Sequence, residues 1–280
     1  MKKYFFLYFL KLLPKNFLSR IVGYIAELPL PGFLLNFWIG IFRKIYHIDM
    51  QEVVPCNYKN FNDFFTRQLK QDARLVDNDK DGISSPVDGI IGYFGKIENS
   101  TLFQAKGISY SLENLVVNQD YCKLFQNGLY ITLYLSPRHY HRIHHPVSGK
   151  IEELFYIPGT LYPVNFFAVN NIPALFTLNE RLITLVENPD MGKIAVIKVG
   201  ATIVGKIKVT YDALESNQKQ KNVVSKKYHD LFAEKGKELG RFQMGSTVIL
   251  LFSNDKIHFH GLEQGKELRF GEKIAVLNPR

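Results

Sequence analysis

The most reactive arrangement in the sequence is the tetrapeptide Met244-Gly245-Ser246-Thr247, which stands directly before the apolar run 248–252. A serine after glycine can bring its hydroxyl to the preceding carbonyl carbon, because Gly245 has no Cβ and tolerates strained dihedrals. Attack there turns the amide into an ester. Elimination then cuts the chain and leaves dehydroalanine, which hydrolyses to a pyruvoyl ketone. Gly245-Ser246 is therefore a candidate self-cleavage site, although a simple turn entering a strand also explains these residues.

Two further segments supply the groups that such a reaction needs. The segment Ser84 to Ile91 places Asp88 before a glycine at the start of a predicted strand. The segment Leu135 to Pro146 contains four histidines, at positions 139, 141, 144 and 145. A serine hydroxyl is a weak nucleophile until a base takes its proton, and a neutral imidazole is the usual base near pH 7. A carboxylate can orient that imidazole and stabilise its charged form.

With these segments in place, the chain resembles the phosphatidylserine decarboxylases of the pyruvoyl-dependent, bacterial membrane-associated type. The family usually has leucine where Met244 stands, which nearly conserves volume. It often has an acidic residue where His139 stands, so the local charge differs there. The resemblance covers nearly the whole chain, and the segments that carry it are Phe61 to Arg67, Pro86 to Gly89, Tyr134 to His144, Tyr156 to Gly159, Val199 to Gly205 and Gly240 to Thr247.

This resemblance implies a proenzyme that cuts itself between Gly245 and Ser246 into a large subunit, 1–245, and a small subunit, 246–280. Asp88, His144 and Ser246 are then the charge-relay set for self-cleavage, and Ser246 becomes the covalent pyruvoyl cofactor. The ketone forms a Schiff base with phosphatidylserine. Loss of carbon dioxide, a carbon–carbon lyase reaction, then gives phosphatidylethanolamine.

His141 is the candidate proton donor for that second reaction. In an extended segment, alternate side chains project to opposite faces, which would place His141 and His144 on different sides of the chain. Neighbouring histidines can then serve separate steps. The apolar run 248–252 is expected to be a central strand whose hydrogen bonds and buried side chains keep the two subunits together.

The N-terminal composition indicates where such an enzyme would meet its lipid. Residues 1–46 contain seven lysines and arginines against Glu27 alone, interleaved with large apolar residues and Trp38. This mixture suits an anionic membrane surface. No run reaches the roughly 20 apolar residues of a transmembrane helix. We expect two or three short helices on the cytoplasmic face of the cell membrane, although a helical cap on the core explains the same pattern. For the oligomeric state, the sequence is compatible with both a monomer and a homodimer.

The elements that must position these groups are mostly strands, and we expect an α+β fold with a β-rich, sandwich- or barrel-like core. Residues 1–70 are expected to form the helical membrane-associating region and 71–280 the catalytic domain. Helices are predicted from Asn60 to Leu69, from Leu112 to about Phe125, and from Tyr228 to Lys235. The predicted strands are 90–97, 129–135, 151–157, 182–186, 194–199, 203–209, 248–252 and 257–260.

Other classes of protein explain parts of the sequence. A triad serine hydrolase acting on lipids would use the same residues, but Ser246 lacks the Gly-x-Ser-x-Gly elbow. A zinc site could draw on the clustered histidines, but there is no His-Glu-x-x-His, and we expect no metal. The stretch 216–227 lacks the interleaved aromatic residues of single-strand binders, so we predict a solvated loop and no nucleic-acid partner. Cys56 and Cys122 are predicted to be reduced thiols.

Overall fold

The structure is a computed structural model that describes residues 8, 10, 12–203, 206–243 and 246–278. Ser246, on one side of the predicted cut, is described. Met244 and Gly245, on the other side, lie outside the described residues, as do 1–7 at the N-terminus.

Two longer helices, α1 (Lys15–Glu27) and α2 (Gly32–Tyr46), precede the β-rich part of the chain. Prolines separate them, since proline cannot continue a helix but suits its start, and Pro31 is the N-cap of α2. Asn60 caps the next helix, as predicted, by accepting a hydrogen bond from the amide of Asp63 at 2.9 Å. The shorter helices are α3 (Phe61–Phe65), α4 (Leu112–Val116), α5 (Gln119–Phe125), α6 (Phe166–Val169) and α7 (Leu175–Leu178).

The rest of the described chain is mainly antiparallel strands. The strands are β1 (Gly82–Ser84), β2 (Gly89–Lys96), β3 (Thr101–Ala105), β4 (Ile108–Ser111), β5 (Leu129–Leu135), β6 (Arg142–His144), β7 (Gly149–Ile157), β8 (Arg181–Asn188), β9 (Gly192–Val199), β10 (Ile207–Val209), β11 (Val224–Lys227), β12 (Phe232–Ala233), β13 (Glu238–Phe242), β14 (Ser246–Phe252), β15 (Ile257–Phe259), β16 (Glu267–Leu268) and β17 (Lys273–Leu277).

The largest sheet has the order β11-β7-β8-β9-β14-β5-β2-β16, with β12 also pairing with β7. The described strands therefore confirm a β-rich core, but they form an open sheet and no closed barrel. Smaller sheets have the orders β1-β17-β15 and β10-β13-β6, and β3 pairs with β4. No helix in the described part of the chain is long and apolar enough to cross a bilayer.

Strand β14 lies in the middle of the large sheet, between β5 and β9, and all of its residues are buried. Its side chains alternate between two hydrophobic clusters. Val248 and Leu250 pack in one cluster with Ile143, while Ile249 and Leu251 pack in the other. Burial of one such side chain stabilises by roughly 1.5–3 kcal/mol, so β14 would stay in the sheet after a cut before Ser246.

The predicted helix from Tyr228 to Lys235 is wrong. Strand β11 ends directly before this stretch and strand β12 lies within it, and both strands pair with β7. An unpaired sheet edge offers a row of backbone donors and acceptors, and pairing to it overrides local helix preference. The polar stretch 216–227 is a solvated loop only at 218–223, since Ser216 and Asn217 are buried and β11 begins at Val224.

Three other predicted elements differ from the expected bounds. The helix predicted from Asn60 to Leu69 ends at Phe65. The helix predicted from Leu112 is broken at Val117, which has a left-handed φ of 52° and separates α4 from α5. The strand predicted from Ile203 begins only at Ile207, because Ile203 has a left-handed φ of 73° that a strand cannot accommodate. Cys56 and Cys122 are free thiols.

Candidate active site

The predicted catalytic segments meet at the end of the large sheet where strand β14 begins. Ser246 pairs with Leu135, the last residue of β5, which leads into the histidine-containing loop. Strand β2 starts directly after Asp88 and pairs with β5 through Ile90 and Tyr134. Because these pairs are antiparallel, the starts of β14 and β2 meet the end of β5 at one edge.

The carboxylate of Asp88 is buried and held by three donors. Arg74 Nε lies 3.1 Å from Oδ1, and Arg74 Nη2 lies 2.6 Å from Oδ2. The backbone amide of Phe270 donates to Oδ1 at 2.8 Å. Such a two-pronged contact with arginine fixes the plane of a carboxylate as well as its charge. Arg74 also donates to Glu52 at 2.6 Å.

The imidazole of His144 is buried between aromatic rings, and both of its nitrogens have partners. Nδ1 lies 2.8 Å from the carbonyl oxygen of Gly236, and Nε2 lies 3.1 Å from the hydroxyl of Tyr140. A carbonyl can only accept, so the proton is assigned to Nδ1, and Nε2 is the basic nitrogen. Burial lowers the pKa of His144 to about 4, which keeps the ring neutral at pH 7.

Phe270 links Asp88 to His144. Its amide binds the carboxylate, and its ring stacks on the imidazole with centroids 3.6 Å apart and planes at 13°. The amide of His144 also donates to Pro86, two residues before Asp88, at 2.8 Å. Among the described residues the two side chains share no hydrogen bond. Asp88 and His144 therefore belong to one site because both contact Phe270. The carboxylate of Asp88 is bound by Arg74 and not by His144.

Ser246 is fully buried, and its hydroxyl has no hydrogen-bond partner in the described structure. The alternation of β14 points the side chain to the same cluster as Val248 and Ile143. A buried hydroxyl without a partner costs about 1–3 kcal/mol, so its presence calls for a functional reason. A ketone at the same position would have no donor left to satisfy, so this environment fits a pyruvoyl group.

His141 is also fully buried and lies next to the chain that leads to Ser246. Its carbonyl oxygen accepts from the amide of Phe242 at 3.0 Å. Its Nδ1 lies 2.8 Å from the carbonyl oxygen of His139, and its Nε2 has no partner among the described atoms. The ring packs on Phe65 at 4.2 Å. Burial lowers the pKa of His141 well below its ordinary value, so the imidazole is neutral.

The remaining two histidines have different surroundings. His139 accepts from the amide of Ser136 at 3.0 Å through Nδ1, and its Nε2 lies 2.9 Å from Glu267 Oε1. Glu267 of β16 thus places a carboxylate beside the imidazole of His139. Burial lowers the pKa of His145 to about 4. Within the described residues no group of three or more ligating side chains is placed to hold a metal ion.

A cavity of about 390 Å³ opens beside Asp88. Its wall includes residues from the N-terminal region, the histidine-containing loop and β16. Local sequence patterns did not indicate the roles of several residues in this wall and around it. Tyr140 and Arg67 lie inside segments that carry the family resemblance, whereas Arg74, Glu52 and Phe270 gave no signal, because their contacts are distant in sequence.

Known proteins resemble this chain over nearly its whole length. The family model for phosphatidylserine decarboxylase matches residues 61–276. The chain is similar to phosphatidylserine decarboxylase proenzymes of Alteromonas mediterranea, at 41% identity over 94% of this chain and 83% of the relative. It is similar to those of Acinetobacter baumannii strain AYE, at 42% over 100% and 96%, and Psychromonas ingrahamii, at 41% over 94% and 94%.

A self-cleaving, lipid-directed lyase is the class of protein that these findings define. The chain belongs to the phosphatidylserine decarboxylase family. Members of this family carry a covalently bound pyruvoyl group, and the relatives are named as proenzymes. The predictions of family, decarboxylase activity and cofactor are thereby confirmed, and the alternative of a serine hydrolase has no support.

Proposed function

We propose that this protein is synthesised as an inactive precursor, cuts itself between Gly245 and Ser246, and then converts phosphatidylserine to phosphatidylethanolamine at the new chain end. The observation that carries the proposal is the buried hydroxyl of Ser246 at the start of the central strand β14, which has no hydrogen-bond partner among the described residues. Family membership indicates the reaction, and this hydroxyl supports Ser246 as the residue that performs the self-cleavage.

His144 is proposed as the base for self-cleavage. Burial keeps the imidazole neutral, and the Gly236 carbonyl holds its proton on Nδ1, which leaves Nε2 available to take a proton. Nε2 first has to exchange the hydroxyl of Tyr140 for that of Ser246. The charge of Asp88 raises the pKa of His144 slightly against the effect of burial, which favours the protonated ring that forms during the reaction.

When formed, the pyruvoyl ketone supplies an electrophile for the substrate amine and an electron sink for the loss of carbon dioxide. His141 is proposed to deliver the proton that the substrate carbon then needs. Its Nδ1 is held by the carbonyl of His139. Its Nε2 has no hydrogen-bond partner within the described part of the chain, so this nitrogen can take up a proton and pass it on.

We also propose that α1 and α2 lie on the cytoplasmic face of the cell membrane. Helix α2 buries only Leu35 and Ile39 against Phe64, whereas most of its large side chains are exposed. An exposed apolar surface of this extent marks an interaction site. The exposed large apolar and aromatic residues on the two helices are Phe17, Leu18, Ile21, Tyr24, Ile25, Phe33, Leu34, Phe37, Trp38, Ile41, Ile45 and Tyr46.

The docking of α1 supports access of a lipid headgroup to the site. Asn16 donates to the carbonyl of Gly159 at 2.9 Å, and the hydroxyl of Ser19 accepts from the amide of Ile203 at 2.9 Å. Gly159 follows β7 and Ile203 follows β9, at the same sheet edge where Ser246 begins β14. We propose that residues 1–70 bring this edge to the membrane and that 71–280 perform the chemistry.

The direct test is conversion of phosphatidylserine in vesicles, followed by chromatography of the lipids and by release of carbon dioxide. The native protein should convert the lipid, and Ser246→Ala should not. Ser109→Ala, an exposed serine on β4, is the matched control and should be fully active. Conversion by Ser246→Ala at the native rate would refute the proposal.

A further inference from the structure

Arg67, at the end of the N-terminal region, is buried, and two of its three guanidinium nitrogens form no hydrogen bond with the described residues. Nη2 donates to the carbonyl oxygens of Arg138 at 3.0 Å and His139 at 3.2 Å. Nε and Nη1 are shielded from water and have no hydrogen-bond partner in the part of the chain that the structure describes, and the guanidinium lies over the ring of Phe64 at 5.6 Å. Arginine stays protonated in proteins, so a buried guanidinium with free donors is a site where an acceptor is missing.

The other arginines of the same cavity are already paired with carboxylates. Arg74 is paired with Glu52 and Asp88, Arg138 with Glu267, and Arg269 with Glu52. Among the described residues no carboxylate lies within ion-pair distance of Arg67. Among the described arginines of this wall, Arg67 is therefore the one whose charge an incoming anion can neutralise without breaking an ion pair.

Arg67 is also next to the proposed proton donor. The carbonyl oxygen of His139 that accepts from Arg67 is the same one that lies 2.8 Å from Nδ1 of His141. Phe65, two residues before Arg67, packs on the ring of His141. An anion on Arg67 would therefore lie close to the group that acts on the substrate carbon.

We propose that Arg67 binds the phosphodiester of the lipid headgroup and thereby positions the substrate. This inference rests on the proposed function. The guanidinium has to turn so that its unused edge meets the cavity, where two parallel hydrogen bonds to phosphate oxygens suit its planar fork. The substrate carboxylate is a poorer partner, because an arginine that stabilises it in the ground state would oppose its loss as carbon dioxide.

Steady-state kinetics with competing soluble headgroups tests this assignment. Glycerophosphoethanolamine carries the phosphodiester without the carboxylate, and L-serine carries the carboxylate without the phosphodiester. With native enzyme, glycerophosphoethanolamine should compete with phosphatidylserine. In Arg67→Gln the KM should rise about 10- to 100-fold and this competition should disappear, while any inhibition by L-serine is unchanged.

Two further variants and one binding measurement serve as controls. Arg67→Lys keeps the charge but not the fork, so its KM should fall between those of native enzyme and Arg67→Gln. Arg269→Gln removes an exposed, paired charge from the same wall and should change KM less than about threefold. Binding of Arg67→Gln to anionic vesicles should equal that of native protein, which separates a headgroup site from attraction to the membrane surface.

An Arg67→Gln enzyme with lowered kcat but native KM and native competition would show that Arg67 only holds the loop at Arg138 and His139, and would overturn the inference. Loss of L-serine inhibition alone would assign Arg67 to the carboxylate and would overturn it as well. In both cases the proposed function stands, because cleavage and decarboxylation persist. If Arg67 variants do not fold, a crystal structure of native enzyme with glycerophosphoethanolamine decides. Phosphate oxygens should lie on Arg67, and a phosphate elsewhere would contradict the assignment.

Discussion

Arg74 donates to both carboxylate oxygens of Asp88, from Nε to Oδ1 at 3.1 Å and from Nη2 to Oδ2 at 2.6 Å, and this ion pair is largely shielded from solvent. The carboxylate is therefore fixed before any substrate arrives. The carboxylate acts on His144 electrostatically and through Phe270, whose amide binds Asp88 and whose ring stacks on the imidazole. In a serine hydrolase, by contrast, the aspartate binds the imidazole directly.

Loss of Arg74 should be costly for both stability and self-cleavage. Arg74→Met leaves Asp88 buried without its cation, so the free energy of unfolding should fall by about 3–5 kcal/mol. Urea unfolding of the uncut Ser246→Ala precursor, with and without Arg74→Met, measures this change. Arg269→Met, an exposed pair with Glu52, should cost less than about 1 kcal/mol. Equal stability of the two arginine variants would show that the Arg74 pair contributes little.

The buried histidines should make the fold sensitive to acid. An unfolded histidine has a pKa of about 6.5, whereas burial lowers the pKa of His144 and His145 to about 4. The unfolded state therefore binds protons first, and stability that is complete above pH 6.5 is lost as the pH falls toward 4. Each such histidine contributes a slope of up to about 1.4 kcal/mol per pH unit.

Urea unfolding of the Ser246→Ala precursor at several pH values between 7 and 4 measures that slope. His144→Asn should make it shallower by about one proton. His258→Asn, an exposed histidine on β15, should leave it unchanged. A slope that His144→Asn does not alter would mean that His144 is not neutral in the fold.

His144 and His141 should separate the two stages of the reaction. His144→Asn removes the proposed base, so the chain should stay whole. His141→Ala should still be cut, because His141 serves the later step, but decarboxylation should slow by about 10²- to 10⁴-fold. Denaturing electrophoresis measures the cut and lipid chromatography the turnover. Native turnover by His141→Ala would remove His141 from the mechanism.

The apolar surface of α2 should determine membrane binding. Phe37→Glu with Trp38→Glu places two charges on exposed positions, so sedimentation with anionic vesicles should weaken at least about tenfold. Cleavage should continue, since the core contacts of α2 use Leu35 and Ile39. Phe103→Glu on β3, an equally exposed aromatic position, is the control and should bind like native protein. Unchanged sedimentation of the double variant would rule out this surface as the anchor.

Local patterns predicted the strands and one helix start well. The apolar run 248–252 lies within β14, the run 129–135 is β5, and Asn60 caps α3 as expected from its side chain. These features depend on alternation and on capping, which neighbouring residues determine. The stretch around Tyr228 depends instead on the open edge of β7, which no local pattern reports.

The composition of the site was only partly predictable for the same reason. Ser246, His144 and Asp88 stand in short segments with recognisable chemistry. Ser246 and the strand that follows Asp88 both pair with β5, whereas His144 lies on β6 in a separate sheet. Arg74 and Phe270 meet Asp88 from distant parts of the chain, on a linker and after β16. Contacts between residues that are distant in sequence are determined by the fold. No local sequence pattern therefore predicts the partners of Asp88.

Mass spectrometry of freshly purified, active protein under denaturing conditions tests the central claim most directly. Two polypeptides should appear, residues 1–245 and a fragment of residues 246–280 whose first residue carries a ketone that borohydride reduces, with loss of activity. Ser246→Ala should give one intact chain. Active protein that consists of a single unbroken chain and resists borohydride would contradict the account.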